Sequence, residues 1–66
     1  MNLTINGESR AVADGRSLVE LLRELGLENR PIAVELNQAI VRKPEYPATA
    51  LRDGDTIEIV HFVGGG

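Results

Sequence analysis

A single stripe of leucines, set between segments that alternate like strands, most constrains the fold of this 66-residue chain. A Ser-x-x-Glu capping box at Ser17 and Glu20 predicts where the helix begins. Gly26 is placed to end it in the left-handed conformation, and Leu27 can then fold back onto Leu22. One apolar stripe needs one apolar sheet face to cover it. The stripe falls at positions i, i+3, i+4 and i+7 and consists of Leu18, Leu21, Leu22 and Leu25.

The N-terminal segment predicts a β-hairpin. Residues 1–5 alternate between apolar and polar, and Asn6 and Gly7 form a strong signal for a two-residue turn. Such a turn places Leu3 opposite Arg10 on the apolar side of the second strand. We expect this end of the hairpin to be uncovered, with the Arg10 stem over apolar surface and its charged group in water.

The remaining segments predict three more strands, over residues 32–36, 39–41 and 56–63. Pro44 and Pro47 predict an irregular connection at about residues 46–51. The order of strands and helix indicates an α+β fold, a mixed sheet with one helix packed across one face. The arrangement that fits is a ubiquitin-like β-grasp domain over residues 1–63, with the first and last strands parallel in the middle of the sheet and a flexible glycine tail at 64–66.

Composition excludes several classes of function. The chain has no cysteine and one histidine, so we expect no thiolate or polyhistidine metal site. A net charge of −3 and 3% aromatic residues argue against nucleic acid as a partner. No apolar run approaches the length of a membrane span, and no basic-then-apolar stretch opens the chain, so a cytoplasmic location without membrane contact is expected.

The last strand places apolar side chains on both faces of the sheet. Ile57 and Ile59 are predicted to point to the core, whereas Val60 and Phe62 point to a face that no helix covers. Isolated surface apolar residues are common. Because these two share one face and lead through Val63 into the glycines, we interpret Val60, Phe62 and Val63 as a partner interface.

Three consecutive glycines, Gly64, Gly65 and Gly66, are the most informative feature for function. They could be no more than a floppy chain end or a remnant of cloning. The functional interpretation is a tail that enters a narrow channel of another enzyme, where side chains would obstruct entry. Gly66 would then present its terminal carboxylate for activation by ATP as an acyl-adenylate, with all the catalytic groups on the partner.

Other candidate residues are better explained structurally. Asp53, Gly54 and Asp55 offer too few oxygens for calcium and are read as a turn. His61 is read as an ordinary strand residue rather than a general base. The remaining charges are read as solvated surface: Arg42, Lys43, Arg52, Glu8, Glu20, Glu24 and Glu28.

The whole chain resembles the small β-grasp sulfur carriers, in particular the ThiS family of thiamine biosynthesis. The residues that carry the resemblance are Asn6-Gly7-Glu8, Leu18-Val19-Glu20-Leu21-Leu22, Val34-Glu35-Leu36-Asn37, Leu51-Arg52-Asp53-Gly54-Asp55 and the terminal Val63-Gly64-Gly65-Gly66. Arg10 departs from the apolar residue expected at its position.

The resemblance implies a protein co-substrate, not an enzyme. An adenylating enzyme would activate Gly66, and a sulfur donor such as a cysteine desulfurase would convert it to a thiocarboxylate. Thiazole synthase would receive the sulfur. No cofactor would be bound, since ATP is used by the activating partner. The diglycine Gly65-Gly66 matches the family's C-terminus.

Two alternatives remain at this stage. The small subunit of molybdopterin synthase would share the fold and the tail chemistry, although such chains tend to be longer. A ubiquitin-like modifier or interaction module would join its tail to lysine, or would use its surface alone. The products separate these cases, because only the carriers form a C-terminal thiocarboxylate.

Overall fold

Five strands and one α-helix make up residues 1–63, the part of the chain that the computed structural model describes. No helix in this part is long and apolar enough to cross a membrane. The elements are β1 (Asn2–Ile5), β2 (Glu8–Ala11), α1 (Leu18–Glu24), β3 (Ile32–Leu36), β4 (Ala39–Val41), a 3₁₀ helix (Lys43–Ala48) and β5 (Thr56–His61).

The first hairpin has the predicted register. Leu3 lies opposite Arg10, and Asn6 and Gly7 both adopt positive φ, of 50° and 83°, as a two-residue turn of this kind requires. All four residues of β2 are exposed. The Arg10 side chain therefore occupies the uncovered end of the sheet, where its charge stays in water.

The sheet has the strand order β2-β1-β5-β3-β4. The strands β1 and β5 pair in parallel at the centre, with Ile5 beside Ile57, and the other pairs are antiparallel. This confirms the predicted mixed sheet and its parallel central pair. The strand β5 is shorter than predicted, because it ends at His61 rather than at residue 63.

The helix α1 has both predicted caps. The Ser17 backbone N–H donates to the Glu20 carboxylate at 2.9 Å, and the Glu20 N–H donates to the Ser17 hydroxyl at 3.3 Å. At the other end Gly26 has φ 74°, and the Leu27 N–H donates to the Leu22 carbonyl at 2.8 Å, as in a Schellman closure. The pKa of Glu20 is lowered, first by the hydrogen bond from the Ser17 backbone and second by hydrogen bonding with the Ser17 side chain.

The connection after β4 corrects one expectation. Residues 43–48 form a 3₁₀ helix, which overlaps the connection at about residues 46–51 that we expected to be irregular. Pro44 favours this helix because it lies in the first turn and fixes φ at a helical value. The side chain of Tyr46, within this 3₁₀ helix, is buried in the core, and burial raises the pKa of its hydroxyl. The Leu18 N–H donates to the Thr49 carbonyl at 2.8 Å, which ties the chain beyond the 3₁₀ helix to the start of α1.

The core lies between α1 and one face of the sheet. Three of the four stripe leucines are fully buried, and Leu25 is half-buried at the edge. The buried side chains are Leu3, Leu18, Leu21, Leu22, Val34, Tyr46, Leu51, Ile57 and Ile59. None of these buried side chains lies on the opposite face of the sheet, which is therefore open to solvent in the described residues.

Candidate functional site

The chain leaves the sheet beside an exposed apolar surface. The Phe62 N–H donates to the Pro31 carbonyl at 2.8 Å, which keeps the chain against β3 one residue beyond the end of β5. Val63 follows with 94% of its surface exposed. Gly66, which is predicted to react, and Gly64 and Gly65, which are predicted to extend the tail, lie outside the described residues.

The sheet face turned away from α1, here called the open face, carries large apolar side chains. Val60 is 55% exposed and Phe62 61% exposed, on the side that alternation along β5 predicts. Ile40 is 75% exposed on β4 and extends the same surface. Sequence reasoning missed Ile40, although its alternation with the half-buried Val41 was a usable signal.

Two glutamates lie side by side at the middle of the open face. Glu35 of β3 and Glu58 of β5 are directly opposed in the antiparallel ladder, and both are exposed. Ile40 of β4 pairs with Glu35 and so lies beside it. Val60 pairs with Ala33, two residues along the strands from the Glu35–Glu58 pair and on the same face. The acidic pair is thus flanked by apolar side chains. Only the register of β3 against β5 reveals it.

Side chains of the two hairpin turns hold β5 in place. The Asn6 side-chain amide accepts from the Ile59 N–H at 2.7 Å and donates to the Ile59 carbonyl at 3.2 Å. From the other side, the Asn37 side-chain oxygen accepts from the Thr56 N–H at 2.9 Å. The strand that leads to the C-terminus is therefore fixed from both neighbouring turns.

The weaker sequence candidates have structural explanations here. The Asp53 carboxylate accepts from the Asn2 N–H at 2.6 Å, which ties the turn to the start of β1. The Asp55 carboxylate accepts from the Arg52 N–H at 2.8 Å, within the turn itself. His61 is exposed on β5. Within residues 1–63, no three His, Cys, Asp or Glu side chains are grouped to hold a metal ion.

Comparison with known proteins places these features in a family. The model of the ThiS family matches residues 3–66. The chain belongs to the ThiS family. A ThiS crystal structure from Geobacter metallireducens superposes with a TM-score of 0.86 at 38% sequence identity, covering all of both chains. This likeness confirms the β-grasp fold.

Relatives of two lengths match the chain. The Bacillus subtilis sulfur carrier protein ThiS is 43% identical over 65 residues, which cover 97% of this chain and 98% of that protein. The thiazole synthase of Paramagnetospirillum magneticum is 48% identical over all 66 residues. The chain spans only 20% of that relative's length, so ThiS-like sequence also occurs as part of a larger protein.

Proposed function

We propose that the protein is a sulfur carrier of thiamine biosynthesis that transports sulfur as a thiocarboxylate on Gly66. The observation that carries the proposal is the family match, which runs through the last glycine. A relative of the same length, 43% identical, is named a sulfur carrier. In this role the protein is a co-substrate of other enzymes and has no catalytic residues of its own.

The proposed chemistry takes place on the Gly66 carboxylate. Its oxygen attacks the α-phosphate of ATP in an activating enzyme, releasing pyrophosphate and forming an acyl-adenylate. The persulfide of a sulfur donor such as a cysteine desulfurase then displaces AMP and forms an acyl disulfide. A thiol attacks the donor's sulfur, which breaks the S–S bond, releases the thiocarboxylate and leaves a disulfide on the donor. Transfer of that sulfur to the thiazole precursor on thiazole synthase, with water supplying the replacement oxygen, regenerates the carboxylate.

The tail and the body of the protein have separate tasks in this proposal. Residues 64–66 enter the partner's active site and can span at most ~10 Å when extended. Gly64 and Gly65 have no side chains that would obstruct a narrow channel. Residues 1–63 stay outside and dock through Val60, Phe62 and Val63. Their exposure beside the point where the chain leaves the sheet supports this division.

The comparisons favour the thiamine pathway over the alternatives. Molybdopterin synthase would use the same fold and tail chemistry. However, the family match is to ThiS, and longer relatives carry the name thiazole synthase. A ubiquitin-like modifier would differ from a sulfur carrier in its product, which is an isopeptide bond to a target lysine instead of a thiocarboxylate.

The test is intact-protein mass spectrometry after incubation with ATP, the activating enzyme and a sulfur source. The unaltered chain should gain the mass expected for replacement of one oxygen by sulfur. Deleting Gly66, appending one residue after it, or introducing Gly65→Val should abolish that gain while circular dichroism stays unchanged. A full mass gain in the Gly66 deletion would show that another atom reacts.

A further inference from the structure

We propose that Glu35 and Glu58 together bind one arginine or lysine side chain of thiazole synthase, set between Ile40 and Val60. This rests on the proposed function and adds to it the charge that the partner must present. The apolar residues supply contact area in this arrangement. The acidic pair decides which surface of the partner fits.

The register of the sheet brings the two carboxylates together. The Asn37 N–H donates to the Thr56 carbonyl at 2.8 Å, so residues 37 and 56 form a hydrogen-bonded pair of the β3–β5 ladder. Such pairs alternate along an antiparallel ladder, which makes Glu35 and Glu58 the next hydrogen-bonded pair. Their Cα atoms are then about 5.5 Å apart and their side chains leave the same face.

Neither Glu35 nor Glu58 takes part in an ion pair within residues 1–63. Neither carboxylate has an arginine or lysine nitrogen within 4.0 Å, since the ion pairs of this part of the chain involve other acids. Arg42 follows Ile40 by two residues and forms no ion pair with either glutamate. Like charges directly opposed in a sheet are destabilising. The free protein therefore keeps a repulsion that a cation from outside would remove.

The surroundings suit a cation that becomes buried on docking. Ile40 lies beside Glu35 on the neighbouring strand β4, and Val60 lies two residues beyond Glu58 along β5. They are 75% and 55% exposed. A partner that covers them excludes water from the carboxylates, and the attraction to a cation strengthens as water is removed. Arginine fits best, because its planar group can bond two carboxylates and still pack on apolar surface.

The relatives identify the partner on which this cation is expected. Two proteins named thiazole synthase, from Paramagnetospirillum magneticum and Magnetococcus marinus, match this chain at 48% and 42% identity over all 66 residues. A carrier-like segment and a thiazole synthase therefore occur within single proteins. We accordingly assign the open face to thiazole synthase rather than to the activating enzyme.

The experiment measures binding and stability in the same variants. Glu35→Gln, Glu58→Gln and the double variant are titrated calorimetrically against purified thiazole synthase at low and high salt. The double variant should bind at least about tenfold more weakly and show a flatter salt dependence. Its unfolding midpoint in urea should be equal to or higher than that of the unaltered chain, because the repulsion is gone.

Glu8→Gln is the matched control, since it removes the same charge from β2 on the opposite sheet face. It should leave binding unchanged. Equal binding of thiazole synthase by the double variant and the unaltered chain overturns the inference. So does a double variant that loses binding to the activating enzyme but keeps binding to thiazole synthase. If the unaltered chain still forms a thiocarboxylate, the proposed function survives that result. If it forms none, the proposed function itself fails.

Discussion

At the scale of single residues, Asn6 takes the place of a peptide group. The strand β1 ends at Ile5, where the chain turns away, yet β5 continues for several residues beside the gap. The Asn6 amide fills it by accepting from the Ile59 N–H and donating to the Ile59 carbonyl. Its φ of 50° is part of this role, because asparagine adopts that conformation more readily than most residues.

Replacing Asn6 by glycine separates the two contributions. Asn6→Gly keeps the positive φ and removes the amide, so we expect a loss of about 1–3 kcal/mol in unfolding free energy for two hydrogen bonds. Gln38→Gly is the control, because Gln38 has φ 71° in the other hairpin turn and donates no side-chain hydrogen bond within residues 1–63. Urea denaturation measures both. Equal stability of Asn6→Gly and the unaltered chain would contradict the role of the amide.

Glu20 makes the stability of the helix start depend on pH. Its pKa is lowered, first by the hydrogen bond from the Ser17 backbone. A carboxyl whose pKa is lower in the folded state stabilises the protein above the usual glutamate range, and this contribution is lost as the pH falls through the folded value. Glu20→Gln should keep an acceptor without a charge. It should therefore lose less stability than the unaltered chain when urea midpoints are compared between neutral and acidic pH.

The control for this prediction is Glu8→Gln, which removes a charge on β2 away from any helix cap. It should retain the acid dependence of the unaltered chain. The same loss of stability on acidification in Glu20→Gln and Glu8→Gln would mean that the cap does not titrate.

At the scale of elements, α1 could be predicted almost completely from sequence. The stripe and both caps are local signals, and the helix begins and ends at the residues they indicate. The 3₁₀ helix could not be predicted, because Pro44 and Pro47 suggest only that regular structure stops. Burial of Tyr46 and Leu51 follows from contacts with distant elements and leaves no periodic pattern. The same limit applies to Asn6, whose amide depends on β5 lying alongside.

The stripe itself gives a stability prediction. Leu22 is fully buried, so Leu22→Ala should lower the unfolding free energy by about 2–5 kcal/mol. For a domain of this size that is a large part of the total. Leu25→Ala removes the same atoms at a half-buried position and should cost less. Urea or thermal unfolding compares the two, and equal losses would mean that the stripe is not packed as described.

At the scale of the whole molecule, the sheet separates folding from binding. The buried side chains come from one face of the sheet, from α1 and from the chain in and just after the 3₁₀ helix, whereas the open face holds exposed ones. Sequence alternation alone predicted this separation for β5. It could not predict that Glu35, Glu58 and Ile40 meet there, because their adjacency depends on pairing between strands.

This separation predicts opposite behaviour for variants on the two faces. Phe62→Asp should weaken association with a purified partner while the unfolding midpoint stays close to that of the unaltered chain, because Phe62 is 61% exposed. Isothermal titration and urea denaturation on the same sample provide the measurement. Unchanged binding would make the exposed apolar residues incidental.

The central position of β5 also determines how the protein bears mechanical load. This strand is bonded on both sides, to β1 and to β3, and the chain leaves it directly at Phe62. Ladder hydrogen bonds run across the strands, so a pull along β5 loads them together in shear instead of opening them one after another. A partner that draws the C-terminus inward therefore pulls on a strand that is bonded on both sides, so the body can resist the tension without unravelling.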